Sequence, residues 1–273
     1  MKRSSIKKFI PPYLLDLLRR PSLYGYFGNY KSWQEAVDAS TGYDDPAILE
    51  KVKTAMLKVK NGQAASERDS ILYDRVEYSW PVLSGLLWAA SLNNNRLSVL
   101  DFGGSLGSSY FQNKSMLDHI NLNWAIVEQP AFVQCGRKYF EDSQLTFIED
   151  DGIKTLKLDE NSVFLASSSL QYIQKPYQLI EEVISMNFPC IIIDRTAFLP
   201  DNERLTIQKT RPDIYESSYP AWFLNEKKFR ELFMGKYDLI SDFESIGARK
   251  ITISQPEGAN GYLKGFIFRR KLK

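Results

Sequence analysis

Short apolar runs alternate with helical segments along the chain after about residue 95, a pattern typical of parallel βαβ units. Five of these runs predict strands, in the order 97–102, 124–127, 145–148, 163–166 and 190–193. The last run is the most uniformly apolar, which predicts a central place in the sheet with both faces covered. Two later runs, at 237–243 and 262–270, predict a closing hairpin with a long connection.

The first 95 residues carry a mainly helical pattern. Ser32 precedes a helix that has Glu35 three residues later, which indicates a capping box. Pro46 opens a second helix, and apolar residues recur along it at helical spacing, which predicts one buried face of Ile48, Val52, Met56 and Val59. A third helix is predicted over 80–90. The chain therefore divides into an N-terminal helical cap, residues 1–95, and an α/β domain, residues 96–273.

Composition is that of an ordinary soluble protein: 273 residues, of which 44% are hydrophobic and 25% are charged. The formal net charge of +2 argues against a dedicated nucleic-acid binder. Cys135 and Cys190 lack the spacing of a redox or zinc motif, and the apolar runs are too short to span a membrane. We therefore expect a cytoplasmic protein with reduced cysteines and without a metal site.

The first twenty residues are basic, with Lys or Arg at six positions against the single acid Asp16. Pro11 and Pro12 interrupt the short apolar stretch, which argues against a secretory signal. Two interpretations stay open. The segment is either a solvated arm, or an arm that makes weak contact with anionic lipid or a lipid-linked substrate.

A glycine-rich turn, residues 103–107, follows the first strand of the α/β domain and leads into a helix that begins near Ser108. Glycine at such a turn lets the backbone approach a ligand closely. The turn matches the G-x-S-x-G of serine hydrolases, with Ser105 as nucleophile. However, the only histidine, His119, lies in or just beyond the next helix and cannot activate Ser105. NAD is disfavoured as well, because serine occupies two of the three glycine positions of a dinucleotide turn.

A third interpretation of the turn is an S-adenosylmethionine (SAM) site, in which an acid precedes glycines at alternating positions. Asp101, Gly103 and Gly107 fit this pattern, and Ser105 takes the place of the middle glycine. Gly104 leaves the turn further room for a ligand. The turn therefore predicts SAM as cofactor and S-adenosylhomocysteine (SAH) as product.

The ends of the next three predicted strands carry polar side chains. Glu128 ends the second strand and can accept hydrogen bonds from both ribose hydroxyls. Asp151 follows the third strand and is a candidate acceptor for the adenine amine. Ser167 and Ser168 follow the fourth, and we expect them to line the cleft beside the methionine part. All lie at the carboxyl edge of the sheet, where open α/β folds bind ligands.

Residues 97–270 resemble the class I SAM-dependent methyltransferases. That resemblance implies a Rossmann-like sheet of seven strands, mostly parallel, with an antiparallel closing hairpin. The whole chain is also similar to a methyltransferase family found among bacterial surface-polysaccharide genes. The segments that suggest this are 25–30, Trp33, 42–44, 68–70, 101–107, 127–130 and 219–223. The resemblance implies transfer of a methyl group to a sugar or another small molecule.

With a single histidine in the chain, a base for the acceptor would have to be a carboxylate, a tyrosine or a lysine. Asp194 follows the fifth predicted strand and is the first candidate as base or substrate anchor. Arg195 beside it is a candidate partner for an anionic group, although the two residues can also form a structural ion pair. Asp69 is the second candidate base. A rival class of protein keeps the fold and binds the cofactor without catalysis.

Aromatic residues supply the candidate acceptor wall, because aromatic faces suit sugars and flat substrates. Tyr219, Trp222 and Tyr43 are the candidates, and core packing explains the first two equally well. The N-terminal region holds more aromatic side chains than a short helical segment needs. We therefore expect residues 26–44 to fold over the glycine turn, and the alternative is an independent helical domain.

Overall fold

The computed structural model describes residues 23–42, 46–149, 162–246, 250–254 and 258–272. Its helices and strands, in chain order, are β1 (Gly25–Tyr30), α1 (Trp33–Asp38), α2 (Pro46–Lys60), β2 (Ser66–Arg68), β3 (Ile71–Tyr73), α3 (Trp80–Ser91), β4 (Arg96–Phe102), α4 (Ser108–Asn113), β5 (Asn121–Glu128), α5 (Pro130–Tyr139), β6 (Leu145–Glu149), β7 (Ser162–Ser167), α6 (Pro176–Ser185), β8 (Cys190–Leu199), β9 (Arg204–Lys209), β10 (Ser218–Asn225), α7 (Glu226–Phe233), β11 (Tyr237–Glu244), β12 (Ile251–Ser254) and β13 (Ala259–Arg270).

Five parallel strands in the spatial order β6-β5-β4-β7-β8 form the centre of the fold. They are the five strands that the apolar runs predict, so this part of the prediction is confirmed. The chain leaves β4 in one direction for β5 and β6, and β7 returns to pair on the other side of β4. This reversal is the topological switch point of an α/β sheet, where ligands bind at the carboxyl ends of the strands.

The predicted closing hairpin is also present. Strand β13 pairs antiparallel with β8, and β11 pairs antiparallel with β13. A continuous path of seven strands therefore runs β6-β5-β4-β7-β8-β13-β11. Strand β12 lies between β11 and β13 in the chain and also pairs with β13.

The sheet continues beyond those seven strands, so a seven-stranded description is incomplete. In the described segments the sheet has eleven strands, and β12, β1, β9 and β10 form a second route between β13 and β8. Six strands thereby close into a barrel in the order β8-β13-β12-β1-β9-β10. A bulge in β8 marks the passage from sheet to barrel, because Asp194 and Arg195 face the single residue Gly265 between the pairs on either side.

The N-terminal region is not purely helical, because β1 belongs to the barrel and β2 pairs with β3 in a separate hairpin. The three predicted helices are confirmed. Ser32 caps α1 by accepting the main-chain N–H of Glu35 at 3.2 Å, and the Glu35 carboxylate accepts the N–H of Lys31.

Helices α2 and α3 share one hydrophobic core with the parallel sheet. Ile48, Val52 and Met56 on α2 are buried there together with Leu86 of α3 and Val99 of β4. Division of the chain at residue 95 stays a prediction, although this core joins the two sides of it. In the part of the chain that the structure describes, none of the helices is long and apolar enough to cross a membrane.

Candidate cofactor and acceptor site

The glycine turn lies at the switch point, between the ends of β4 and β7. Gly103 has a φ of +68°, and a Cβ built on it would lie 2.5 Å from the Cβ of Ser169, in the loop after β7. Gly107 has a φ of +102° and immediately precedes α4. Glycine is needed at both positions, because other residues rarely adopt this conformation and Gly103 has no room for a side chain.

Ser105 adopts the conformation expected of the middle glycine, with a φ of +55°. Its main-chain N–H donates to Oε1 of Glu128 at 3.0 Å, and the N–H of Gln129 donates to Oε2 at 2.9 Å. Burial raises the pKa of Glu128, and these two N–H donors oppose the shift. The structure therefore joins the end of β5 to the glycine turn, as a shared ligand site requires.

Asp101 lies beneath the turn rather than beside the cleft. Its Oδ2 accepts the indole N–H of Trp124 at 3.1 Å, and its buried Oδ1 has no hydrogen-bond partner among the described residues. A Cβ on Gly104 would lie 2.6 Å from the Asp101 carboxyl, so Gly104 is the residue that leaves it room. Burial raises the pKa of Asp101 to about 7. The hydrogen bond from Trp124 lowers that pKa, and the negative charge of Glu128 raises it further.

Asp194 is a buried residue inside β8, not an open group at the end of a strand. The residue is 2% exposed, and Oδ2 accepts the hydroxyl of Ser167 at 3.2 Å. Within the part of the chain that the structure describes, Oδ1 has no hydrogen-bond partner. Ser168, with a φ of +61°, donates its N–H to the carbonyl oxygen of Asp194. Ser167, Ser168 and Asp194 lie together at one edge of the sheet, as the sequence predicts. However, β8 continues past Asp194 and encloses its carboxyl group.

Arg195 occupies the bulge of β8 with a φ of +47° and donates its N–H to the hydroxyl of Ser245 at 2.9 Å. Its guanidinium lies close enough to Glu67 and Tyr172 to influence both electrostatically. Its buried Nε has no hydrogen-bond partner in the described segments. Three residues other than glycine adopt the uncommon left-handed conformation at this edge: Ser105 after β4, Ser168 after β7 and Arg195 within β8. Such conformations cluster at functional sites.

The β2–β3 hairpin lies against this edge and supplies Glu67, which sequence reasoning missed. Glu67 accepts the hydroxyl of Ser108, the first residue of α4, at 2.8 Å and also the main-chain N–H of Ser70. Burial raises the pKa of Glu67, and these two donors oppose it. Asp69 and Ser70 form the two-residue turn of the hairpin, and both have positive φ, as a type I′ turn requires. The dipeptide lacks the glycine that usually marks such a turn in a sequence, so the hairpin was not predicted.

Asp69 stands exposed at the tip of that hairpin and near a group of tyrosines. Burial raises the pKa of Tyr26, Tyr172 and Tyr215, and the negative charge of Asp69 adds to each shift. The structure therefore brings Asp69 to the carboxyl side of the sheet.

The two described candidates for the acceptor wall lie on opposite faces of β10. Tyr219 and Trp222 are three residues apart in one strand, and alternate side chains of a strand point to opposite faces. Tyr219 packs its ring against Tyr172, with centroids 5.3 Å apart. Trp222 packs on the other face with Leu205 and with Ala36 of α1. Trp222 therefore cannot share one wall with Tyr219.

Some predicted features lie outside the described residues: Asp151, Tyr43 and the basic arm at residues 1–20. Within 26–44, strand β1 joins the barrel. The start of α4 beside the glycine turn is contacted by the β2–β3 hairpin through Glu67 and by α2 through Met56. The described residues contain no group of three His, Cys, Asp or Glu side chains arranged to hold a metal ion.

No protein-family model matches the chain, and no curated protein matches it. Among solved structures it is similar to the N-terminal domain of EvdMO1 in the presence of SAH and D-fucose, with 12% identity, 84% of this chain and 97% of that chain covered, and a TM-score of 0.45. It is similar to LepI in complex with SAM, with 12% identity, 95% and 62% covered, and a TM-score of 0.49. It is also similar to a SAM-dependent methyltransferase from Anabaena variabilis ATCC 29413, with 12% identity, 82% and 95% covered, and a TM-score of 0.48.

Proposed function

We propose that this protein is a SAM-dependent methyltransferase that acts on a sugar or another small molecule. The hydrogen bond from the Ser105 N–H to Glu128, at the switch point of the sheet, is the observation that carries the proposal. It places a glycine turn and a strand-end carboxylate together. The carboxylate suits the ribose of a nucleoside ligand, and the turn suits a substituent of that nucleoside that approaches the backbone closely.

The residues at the turn fit that cofactor. Each carboxylate oxygen of Glu128 accepts one main-chain N–H and keeps a lone pair, so the pair can accept both ribose hydroxyls. Gly103 and Gly107 let the turn adopt its left-handed backbone conformation. In this proposal the methionine part lies beside the turn, near Ser167 and Ser168 at the end of β7. In this proposal Asp101 supports the turn from below, and Asp151 accepts the adenine amine.

When bound, SAM supplies an electrophilic methyl group on a positively charged sulfur. The chain aligns the acceptor in line with that methyl group and removes a proton from an acceptor hydroxyl. Asp69 is our candidate base, because it is exposed and lies on the hairpin that contacts α4. Asp194 is instead suited to hold Ser167 and the β7 loop in place. Arg195 remains a candidate contact for the acceptor.

The proposal extends to the setting of the enzyme. The resemblance to a family found among surface-polysaccharide genes supports a sugar acceptor in a cytoplasmic step of polysaccharide assembly. The basic residues within 1–20 suit weak contact with anionic lipid or with a lipid-linked substrate.

Titration calorimetry of the full chain with SAH, and separately with NAD, tests the proposal. We expect SAH to bind with a dissociation constant on the order of micromolar, about −8 kcal/mol. Binding of NAD without binding of SAH would overturn it. Binding of SAH, with no methyl transfer to any acceptor in a mass-spectrometric screen, would favour the silent cofactor-binding protein.

A further inference from the structure

Three side chains form a row across neighbouring strands at the inner face of the barrel. Gln208 of β9 pairs directly with Tyr26 of β1 on one side and with Tyr219 of β10 on the other. Residues that pair directly point to the same face of a sheet. Tyr26 contacts Phe223, with ring centroids 4.9 Å apart, and Phe223 belongs to the cluster that fills the barrel. The row therefore faces the interior of the barrel.

The row carries polar groups where a barrel core would be apolar. Tyr172 donates its hydroxyl to Oε1 of Gln208 at 2.7 Å, and the hydroxyls of Tyr215 and Tyr219 lie 3.3 Å apart. Tyr26, Gln208 and Tyr172 are only half-buried, so solvent reaches this end. A network of neutral hydroxyl and amide groups that is still open to water is suited to binding a polar ligand.

Below the row the barrel is closed. A Cβ on Gly261 would overlap the ring of Phe223, so that ring packs directly on the β13 backbone. Ala197, Leu199 and Ile253 are buried in the same cluster. The polar row therefore lies at the mouth of the barrel, above a packed aromatic and aliphatic floor. We call this mouth the pocket.

The pocket adjoins the candidate cofactor turn. Tyr172 ends the short 3-10 turn Leu170–Tyr172, three residues after Ser169, whose Cβ packs against Gly103. Three residues of chain span no more than about 10 Å. A ligand that contacts the ring and hydroxyl of Tyr172 therefore lies close to the turn that would hold the methyl donor.

Charges around the pocket disfavour an anionic ligand. Among the described residues, the charged groups that influence its tyrosines are Asp69, Glu67 and Arg195. Arg195 also faces Glu67, so its positive charge is already opposed. With two carboxylates against one guanidinium, the mouth of the barrel suits an uncharged ligand better than a phosphate or a carboxylate.

We propose that the mouth of the barrel, formed by Tyr26, Gln208, Tyr219, Tyr172 and Tyr215, binds an uncharged hydroxylated ring of the pyranoside type. Aromatic faces pack on the C–H faces of such a ring, while the hydroxyl and amide groups exchange hydrogen bonds with its hydroxyls. The identification of this ring as the methyl acceptor rests on the proposed function, whereas the binding site itself does not.

Saturation-transfer NMR on the full chain tests the site. The probes are the methyl pyranosides of glucose, galactose, mannose and N-acetylglucosamine, with D-glucuronate as the anionic comparison. We expect at least one neutral pyranoside to bind, and D-glucuronate to bind about tenfold more weakly or not at all. Tyr219→Phe and Gln208→Leu should each weaken the pyranoside about tenfold, because a buried polar partner is lost.

Tyr237→Phe is the matched control, since it removes a buried tyrosine hydroxyl that donates to the Phe188 carbonyl outside the barrel. It should leave pyranoside binding unchanged. If Gln208→Leu fails to fold by thermal unfolding, Tyr219→Phe alone decides. Failure of all four pyranosides to bind, equal binding of D-glucuronate, or binding unaffected by the folded variants would overturn the proposal.

SAH titration of the same samples separates this inference from the proposed function. Binding of SAH without any pyranoside removes the pocket and leaves the methyltransferase proposal standing. Binding of a pyranoside that depends on Gln208 and Tyr219, without binding of SAH, supports the pocket and removes the acceptor role.

Discussion

Glu128 offers the sharpest test of the cofactor site, because its two carboxylate oxygens have separate main-chain partners. In Glu128→Gln, one oxygen still accepts the N–H of Ser105, while the amide nitrogen can no longer accept either the Gln129 N–H or a ribose hydroxyl. Loss of one charge-assisted hydrogen bond should weaken SAH by about 1.5–3 kcal/mol, or roughly 10- to 150-fold. Gln129 is exposed, so its N–H can donate to water instead. The free energy of unfolding should therefore change little.

Glu128→Ala removes both acceptors and leaves the Ser105 N–H without its partner. We expect SAH binding to fall further, and the free energy of unfolding to fall by about 1–3 kcal/mol because a partly buried donor is left unsatisfied. Titration calorimetry measures the first effect and urea unfolding the second.

Glu244→Gln is the control for the Glu128 variants, since Glu244 is an exposed carboxylate at the end of β11. It should match the parent chain in both assays. Unchanged SAH affinity in a folded Glu128→Gln variant would refute the reasoning, because another residue would then hold the ribose.

Three further predictions concern stability and the arm. Between the unfolded pKa of 3.8 and the folded pKa of about 7, the folded state holds a proton on Asp101 that the unfolded state has lost, so stability falls as pH rises. Asp101→Asn should remove this decline, worth at most about 4 kcal/mol, and unfolding curves across that range that parallel the parent would contradict it. Ser105→Gly should leave the free energy of unfolding unchanged or raise it by up to about 1 kcal/mol, because relief of left-handed strain outweighs the flexibility of glycine; a clear loss in thermal unfolding would argue against strain at this position. Deletion of residues 1–10 should abolish binding to anionic vesicles in a sedimentation assay. Salt should weaken vesicle binding by the full chain. Equal binding by the full and the shortened chain would favour a solvated arm.

Local patterns were sufficient to predict the α/β core and the glycine turn. A buried strand needs a run of apolar residues, so β4 and β8 were recognisable without any knowledge of their neighbours. The turn at 103–107 was recognisable because glycine at such positions reflects a backbone conformation and a close approach, which are local properties. Glu128 followed from chain order, since the ends of neighbouring parallel strands meet at one edge.

Tertiary structure alone decided the barrel and the environments of the side chains around it. The barrel closes through pairings between segments that are distant in the chain, such as that of Tyr26 in β1 with Gln208 in β9. Alternation along β9 was visible in the sequence, but it cannot tell which face meets a core and which faces a pocket. Strand register placed Tyr219 inside the barrel and Trp222 outside it. The bond between Glu67 and Ser108, and the burial of Asp194 within β8, likewise arise only when separate segments pack together, because side-chain environments are set by the neighbours that folding brings into contact.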